Sequence, residues 1–343
     1  MATTTLDDDL SALRQVDSLH GAVADVLASL TTCGVAVASL IARSAPGVDS
    51  AVVGDNASGD TQKALDVQAE LLFVEALAGS DVAAVCSEET ELAIPVNAGG
   101  RLVVALDPID GSSNIDTNAP IGTIFSILPM LDGDATDSLL QTGRAQLAAG
   151  FIVYGPRTVL ALTWGEGTFL YCLDPGTGAF VQTHAKVALP IEAQEYAINA
   201  SNARHWTPSI RAYVNHLVSG STGPRDRDFN MRWIASLVAE TYRILLRGGI
   251  YLYPADQREG YGAGRIRLVY EANPIAFLCE QAGGEATNGI TAIMDMEPTS
   301  LHQRVPFIFG STSKVARVRR YLLDPPANQE ESPLFSQRGL FRT

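Results

Sequence analysis

One stretch constrains this chain more than any other: Leu106-Asp107-Pro108-Ile109-Asp110-Gly111-Ser112-Ser113-Asn114. An apolar run at 102–106 leads into it, and a second, at 121–128, follows it. Two aspartates three apart at the mouth of a buried strand are costly. An unpaired buried carboxylate is expensive, and two close together repel. A divalent cation removes both problems, and carboxylate oxygens are the ligands that Mg²⁺ and Mn²⁺ prefer. Gly111-Ser112-Ser113 adds backbone N–H groups and hydroxyls where an anion could sit. The same residues also fit a plain tight turn, because Asp-Pro and Asp-Gly are turn formers. The motif alone does not separate the two.

At 343 residues the chain is longer than one compact core usually organises, so two domains are expected. Hydrophobic residues make up 46% and charged ones 18%, the balance of a packed globule rather than a disordered chain. The net charge of −14 argues against nucleic acid or an anionic membrane as partner. An anionic substrate would need local basic groups or metal ions. Cys33, Cys86, Cys172 and Cys279 lie far apart without metal-ligand spacing, which suits buried thiols in a reduced, cytoplasmic setting. The start, Met-Ala-Thr-Thr-Thr-Leu-Asp-Asp-Asp, lacks the basic and apolar regions of a signal peptide. No apolar run reaches about 18 residues without polar interruption, so no membrane helix is expected.

Helical periodicity covers residues 10–42, as one helix or as two broken near 31–34, and a second helix is expected over 62–78. Short strands are expected at 82–87 and 102–106. At 148–154, 159–164 and 168–174 the period becomes that of strands, with Gly- and Pro-rich hairpin turns between, an antiparallel meander. Past Leu189-Pro190 strands and helices alternate: strands at 196–199, 250–253 and 267–270, and helices at 208–217, 233–246 and 273–282. The expected organisation is an N-terminal domain over 1–190, an α/β domain over 191–323, and a flexible Pro-, Glu- and Gln-rich tail over 324–343.

Carboxylates fall beside apolar runs at Asp60, Asp66, Glu88, Glu89, Asp107, Asp110 and Glu271. Each has a bland reading: a solvated helix face for Asp66, a surface turn for Glu88-Glu89, a helix N-terminal acid for Glu271. Together they form the pattern an oxygen-only metal site requires. Ser87-Glu88-Glu89, Asp-Pro-Ile-Asp-Gly-Ser-Ser and Gly122-Thr-Ile-Phe125 resemble the lithium-sensitive, metal-dependent sugar and inositol phosphatase superfamily. Gly248-Gly-Ile-Tyr-Leu-Tyr-Pro254, Arg265-Ile-Arg-Leu-Val-Tyr-Glu-Ala-Asn-Pro274, Gln281-Ala-Gly-Gly284 and Leu301-His-Gln-Arg304 narrow the resemblance to class I fructose-1,6-bisphosphatases.

That resemblance implies an α+β or α/β fold in five layers, αβαβα, with an N-terminal helix pair and mixed sheet before the α/β domain. It implies a Mg²⁺-dependent hydrolase, with Mn²⁺ as a substitute and two or three ions per subunit. Asp107, Asp110 and Glu271 would hold the ion nearest the scissile phosphate. Asp107, Glu88 and the carbonyl of Ile109 would hold a second, and Asp60 with Glu88 a third. Asp66 and Glu89 would activate the attacking water. Asp110, Gly111, Ser112 and Ser113 would meet the phosphate that leaves, and Asn199, Tyr253, Arg265 and Arg267 the sugar and the phosphate that stays. Arg232 would reach a neighbouring subunit's substrate, which implies a homo-oligomer, a tetramer in most of the family. The product would feed sugar synthesis or carbon fixation.

The chain departs from the family at Asn202 and Trp233, where tyrosines are usual, at Arg265, where lysine is usual, and at Leu237 in place of methionine. The changes at Asn202, Trp233 and Arg265 leave room for sedoheptulose 1,7-bisphosphate as an alternative substrate. A non-catalytic metabolite sensor would have no physical reason to keep all seven acids. The Lys-Tyr pair that serves AMP in animal enzymes reads Arg101-Leu102, so AMP inhibition is expected to be weak or absent.

Overall fold

The computed structural model describes residues 4–43, 51–55 and 61–324. It opens with α1 (Leu6–Leu13) and α2 (Ser18–Arg43). The break between them falls at 14–17 and not at 31–34. Asp17 Oδ1 accepts the N–H groups of Leu19 and His20 at 2.8 and 2.9 Å and so starts the second helix. Inside α2 the Thr31 hydroxyl donates back to the Leu27 carbonyl at 2.8 Å, and the helix continues. Gly34 lets α2 lie close on the sheet, since a Cβ there would stand 2.1 Å from Ile152 Cδ1. By length and composition alone α2 is apolar enough to cross a membrane, a test that the core helix of a globule also passes. Its apolar face is used inside the protein, where Val23, Val26, Leu27, Leu30 and Val37 are buried.

A short antiparallel hairpin, β1 (Val52–Asp55) and β2 (Thr61–Lys63), leads into α3 (Ala64–Ala76). An eight-stranded sheet follows: β3 (Val82–Ser87), β4 (Ile94–Pro95), β5 (Leu102–Asp110), β6 (Ile121–Pro129), β7 (Ala148–Tyr154), β8 (Thr158–Thr163), β9 (Phe169–Leu173) and β10 (Phe180–His184). Its order is β10-β9-β8-β7-β6-β5-β3-β4, with β3 and β5 parallel and the other neighbours antiparallel. The meander is present, and a short α4 (Ala135–Leu139) lies between β6 and β7. The second sheet has order β12-β11-β13-β17-β15, from β11 (Glu195–Ile198), β12 (Asn230–Met231), β13 (Ile250–Tyr253), β15 (Glu285–Thr287) and β17 (Phe307–Gly310). β14 (Ile266–Arg267) pairs with β16 (Arg304–Val305).

The central strands are buried on both faces, so alternate residues enter different cores. Leu160 and Ile152 pack with α2 and α3, whereas Phe151 and Ile124 pack with α6 (Leu237–Arg247) and α7 (Asn273–Gln281). In the second sheet Tyr251 and Phe309 face that same helix pair. Ile250 and Leu252 face α5 (Pro208–Val218) and α8 (Thr312–Leu323) on the other side. Helix, sheet, helix, sheet and helix layers follow in turn, as the resemblance implied.

Three further elements differ from expectation. β5 does not stop at Leu106 but runs through the Asp-Pro-Ile-Asp motif. The helix expected from 233 starts at Leu237, because Ala235 has a left-handed φ of 61° and Ser236 Oγ accepts the Ala239 N–H at 3.3 Å. The strand expected at 267–270 ends at Arg267. Residues Leu268–Ala272 instead form a wide π-type turn into α7, drawn in by a 2.6 Å hydrogen bond from the Arg267 N–H to Glu271 Oε2. Asp60 and most of the expected tail, residues 325–343, lie outside the described residues.

Candidate active site

In a regular strand, residues three apart point to opposite faces. Asp107 and Asp110 converge because the β5–β6 register slips between them: Asp107 pairs with Ile124 and Asp110 with Gly122. The extra residue makes a bulge that re-aims the second aspartate. The Thr123 hydroxyl fixes it by donating to the Pro108 carbonyl at 2.8 Å. Gly122 allows close approach, since a Cβ there would lie 2.2 Å from the Ile152 carbonyl oxygen and 2.5 Å from Val238 Cγ2. The N-terminus of α6 therefore reaches Asp110, whose Oδ2 accepts the Val238 N–H at 3.0 Å. The helix dipole favours a negative charge at that point.

Glu271 arrives from the π-type turn. The carboxylate oxygens of Asp107, Asp110 and Glu271 come within 4.8 Å of one another, while the residues are only 2%, 7% and 8% exposed. Burial first, then Glu88 and the other two acids, holds Asp107 well above the ordinary carboxylate range. Burial and Glu88 raise Glu271 likewise, against the pull of Arg267. Asp110 is pushed up to about 6 by burial, with the Val238 N–H opposing. Three carboxylates this close repel one another when ionised, and a bound cation would relieve that repulsion. Glu88 follows β3, with its N–H on the Leu106 carbonyl at 3.0 Å, and its carboxylate pairs with Arg267 Nη2 at 3.1 Å.

Asp66 and Glu89 stand beside this cluster. Asp66 Oδ2 accepts the Lys63 N–H at 2.7 Å, and its buried Oδ1 has no hydrogen-bond partner among the described residues. Glu89 Oε2 accepts from Gln62 Nε2 at 2.6 Å. Burial, with Glu88 adding to it, pushes Asp66 to about 6. Burial, then Asp66, pushes Glu89 to about 7. Beyond Asp110 the chain turns at Gly111, whose φ of 77° suits glycine, and Ser112–Thr117 forms a 3-10 turn.

The other end of the site is aromatic and basic. Asn199, Asn202, Trp206, Tyr253, Pro254 and Asp256 line one cleft. Trp233 stacks on Tyr251 with ring centres 5.9 Å apart and lies 6.1 Å from Tyr253. Arg265 is close enough to Tyr253 to act on its ionisation. Arg267 lies between the two ends: its Nη2 pairs with Glu88, and its Nη1 donates to the Arg265 carbonyl at 3.2 Å. Arg232 is half exposed and lies 3.7 Å from Glu195 of its own chain.

Family models for the N-terminal and C-terminal domains of fructose-1-6-bisphosphatase match residues 10–185 and 189–323. The chain belongs to the fructose-1,6-bisphosphatase family. It is 51% identical over 348 aligned positions to a fructose-1,6-bisphosphatase class 1 of Sinorhizobium medicae, covering all of both chains. It is 52% identical to one of Paracoccus denitrificans, over 96% of this chain and 98% of that one. A crystal structure of Leishmania major fructose-1,6-bisphosphatase in holo form superposes with a TM-score of 0.86 at 32% identity, covering 94% of this chain and 99% of that one.

The family implies dependence on a divalent metal, and the donor set fits one: buried, oxygen-only carboxylates, with oxygens of Asp66 and Glu70 nearby that find no hydrogen-bond partner among the described residues. Three supporting residues escaped the sequence reading. Glu70, buried one helical turn after Asp66, is raised by burial, with Ser87 opposing. Its i, i+4 spacing from Asp66 was the available signal. Lys63 Nζ pairs with Asp116 at 2.9 Å and ties α3 to the turn after the motif. Asn114 Nδ2 donates to the Ala235 carbonyl at 2.8 Å, joining that turn to the start of α6.

Proposed function

We propose that this chain hydrolyses D-fructose 1,6-bisphosphate at its 1-phosphate, giving fructose 6-phosphate and inorganic phosphate. The observation that carries this is the buried Asp107–Asp110–Glu271 constellation, with Tyr253 and Arg265 at the other end of the same site. Asp107, Asp110 and Glu271 would hold one Mg²⁺, Asp107, Glu88 and the Ile109 carbonyl a second, and Asp60 with Glu88 a third. Bound cations there supply charge neutralisation at phosphorus and a more acidic water. The protein's own groups do the rest. Asp66 and Glu89 have proton affinities raised toward neutrality, which suits them to take a proton from the attacking water. Gly111, Ser112 and Ser113 receive the phosphate that departs. Asn199, Tyr253, Arg265 and Arg267 hold the sugar and the phosphate that remains, and Arg267 also offsets part of the negative charge around Glu88.

The working form is a homotetramer in the cytoplasm, with Arg232 of each chain exchanging its Glu195 contact for a neighbour's substrate. Its product enters sugar synthesis or carbon fixation. The test is phosphate release from fructose 1,6-bisphosphate with Mg²⁺, before and after chelation. Release that stops with chelator and returns with Mg²⁺ is expected. Release that persists in excess chelator would overturn the metal assignment, and faster turnover of sedoheptulose 1,7-bisphosphate would overturn the substrate.

A further inference from the structure

The loop joining β13 to β14, residues 254–265, holds an arrangement that the roles above do not use. The Tyr261 ring lies near two guanidinium groups, with Arg258 Cζ 3.9 Å from its centroid and Arg265 Cζ 4.6 Å. Arg265 Nη1 also donates to the Tyr261 hydroxyl. Arg258 is itself fixed. Its Nε lies 3.0 Å from each Asp256 carboxylate oxygen, its N–H donates to Oδ1 at 3.0 Å, and its Nη2 donates to Oδ2. Arg258 holds the Asp256 carboxyl below its ordinary range.

Backbone bonds close the loop on itself: Tyr261 N–H to the Arg258 carbonyl at 3.1 Å and Gly264 N–H to the Tyr261 carbonyl at 3.0 Å. At its exit Gly264 has a φ of 85°, and a Cβ there would stand 2.1 Å from the Val305 carbonyl carbon. The Gln257 N–H donates to the His205 carbonyl at 3.3 Å, joining the loop to the turn that Asn199 begins. Asp256 lines the same cleft as Asn199, Asn202 and Tyr253.

We propose that Tyr261 and Arg258 are positioning residues that hold Arg265 ready for the phosphate the sugar keeps. This rests on the hydrolase reading and adds to it the means by which that phosphate is recognised. The charge of Arg258 is matched by Asp256, so Arg258 serves to hold the ring. Tyr261 is a neutral partner, so it fixes the Arg265 guanidinium without cancelling its charge. A planar guanidinium can bind two phosphate oxygens at once, and one already stacked loses less freedom on binding than a loose one. An ammonium would gain less from the ring. The aromatic brace and the arginine, where lysine is usual, therefore belong together.

The test uses the full chain with Tyr261→Ala and Tyr261→Phe. It measures steady-state hydrolysis of fructose 1,6-bisphosphate and calorimetric binding of fructose 6-phosphate, which carries only the retained phosphate. Tyr261→Ala should raise KM and weaken fructose 6-phosphate binding about tenfold, with kcat within about twofold of wild type. Tyr261→Phe keeps the ring and should fall between, at about threefold. Unchanged fructose 6-phosphate binding by Tyr261→Ala, or a fall in kcat at constant KM, overturns the proposal while an active wild type keeps the hydrolase reading. A wild type that turns over no bisphosphate, yet binds fructose 6-phosphate about tenfold more tightly than Tyr261→Ala, keeps the brace and removes the hydrolase reading. A wild type that neither turns over the one nor binds the other removes both.

Discussion

Asp107 and Asp110 are informative because spacing and shape disagree about them. Their residue types announce a metal or anion site, yet a regular strand would point them apart. The bulge that reunites them depends on Thr123 and Gly122 of the next strand, so pairing was needed to see it. Arg101 shows the reverse case, where the residue itself carries the message. The family's Lys-Tyr pair reads Arg101-Leu102, and the Arg101 guanidinium is engaged by Asp81, with Nε–Oδ2 at 2.7 Å and Nη2–Oδ2 at 2.6 Å. A nucleotide phosphate would have to displace that carboxylate. Micromolar AMP is expected to leave steady-state turnover unchanged, and strong inhibition in the same range would refute this.

Among the elements, strand alternation read well because burial on one face or both leaves a period-two record. Helix ends read less well, because a single capping residue decides them: Asp17 moved the first break, and Ser236 with Ala235 delayed α6. The apolar 268–270 run fits a strand by composition. The short hydrogen bond from the Arg267 N–H to the Glu271 carboxylate draws it into a turn, and that turn delivers the third acid of the cluster. The β6–β7–α6 junction relies on the missing side chain of Gly122. Gly122→Ala should destabilise the protein by about 2 kcal/mol or more, since the backbone of Ile152 cannot give way as a side-chain tip can. Urea unfolding midpoints of variant and wild type measure this, and equal midpoints would show that the sheet absorbs the methyl group.

For the molecule as a whole, the five layers place acids from residues 66 to 271 in one site, a convergence that spacing along the chain only hints at. The outer layer carries a charge outside this site. Lys314 on α8 is 1% exposed, stands 3.9 Å from the Phe229 ring centroid and makes no hydrogen bond among the described residues through Nζ. Burial, and then Arg225, pulls it from 10.5 down to about 7. Between those values the unfolded chain holds a proton that the folded chain lacks, so this group makes stability rise with pH there. Below about 7 both states are protonated and its contribution is level. Lys314→Met should raise stability at neutral pH and flatten the rise. Urea unfolding at pH 7, 8 and 9 reads both effects, and parallel curves for variant and wild type would contradict the assignment. The central claim is that buried carboxylates brought together by the β5 bulge run phosphoryl hydrolysis. Phosphate release from fructose 1,6-bisphosphate with saturating Mg²⁺, by wild type and Asp110→Ala side by side, tests it most directly. The account predicts steady release by wild type and a loss of more than about a hundredfold in the folded variant; an Asp110→Ala protein that keeps pace with wild type would contradict it.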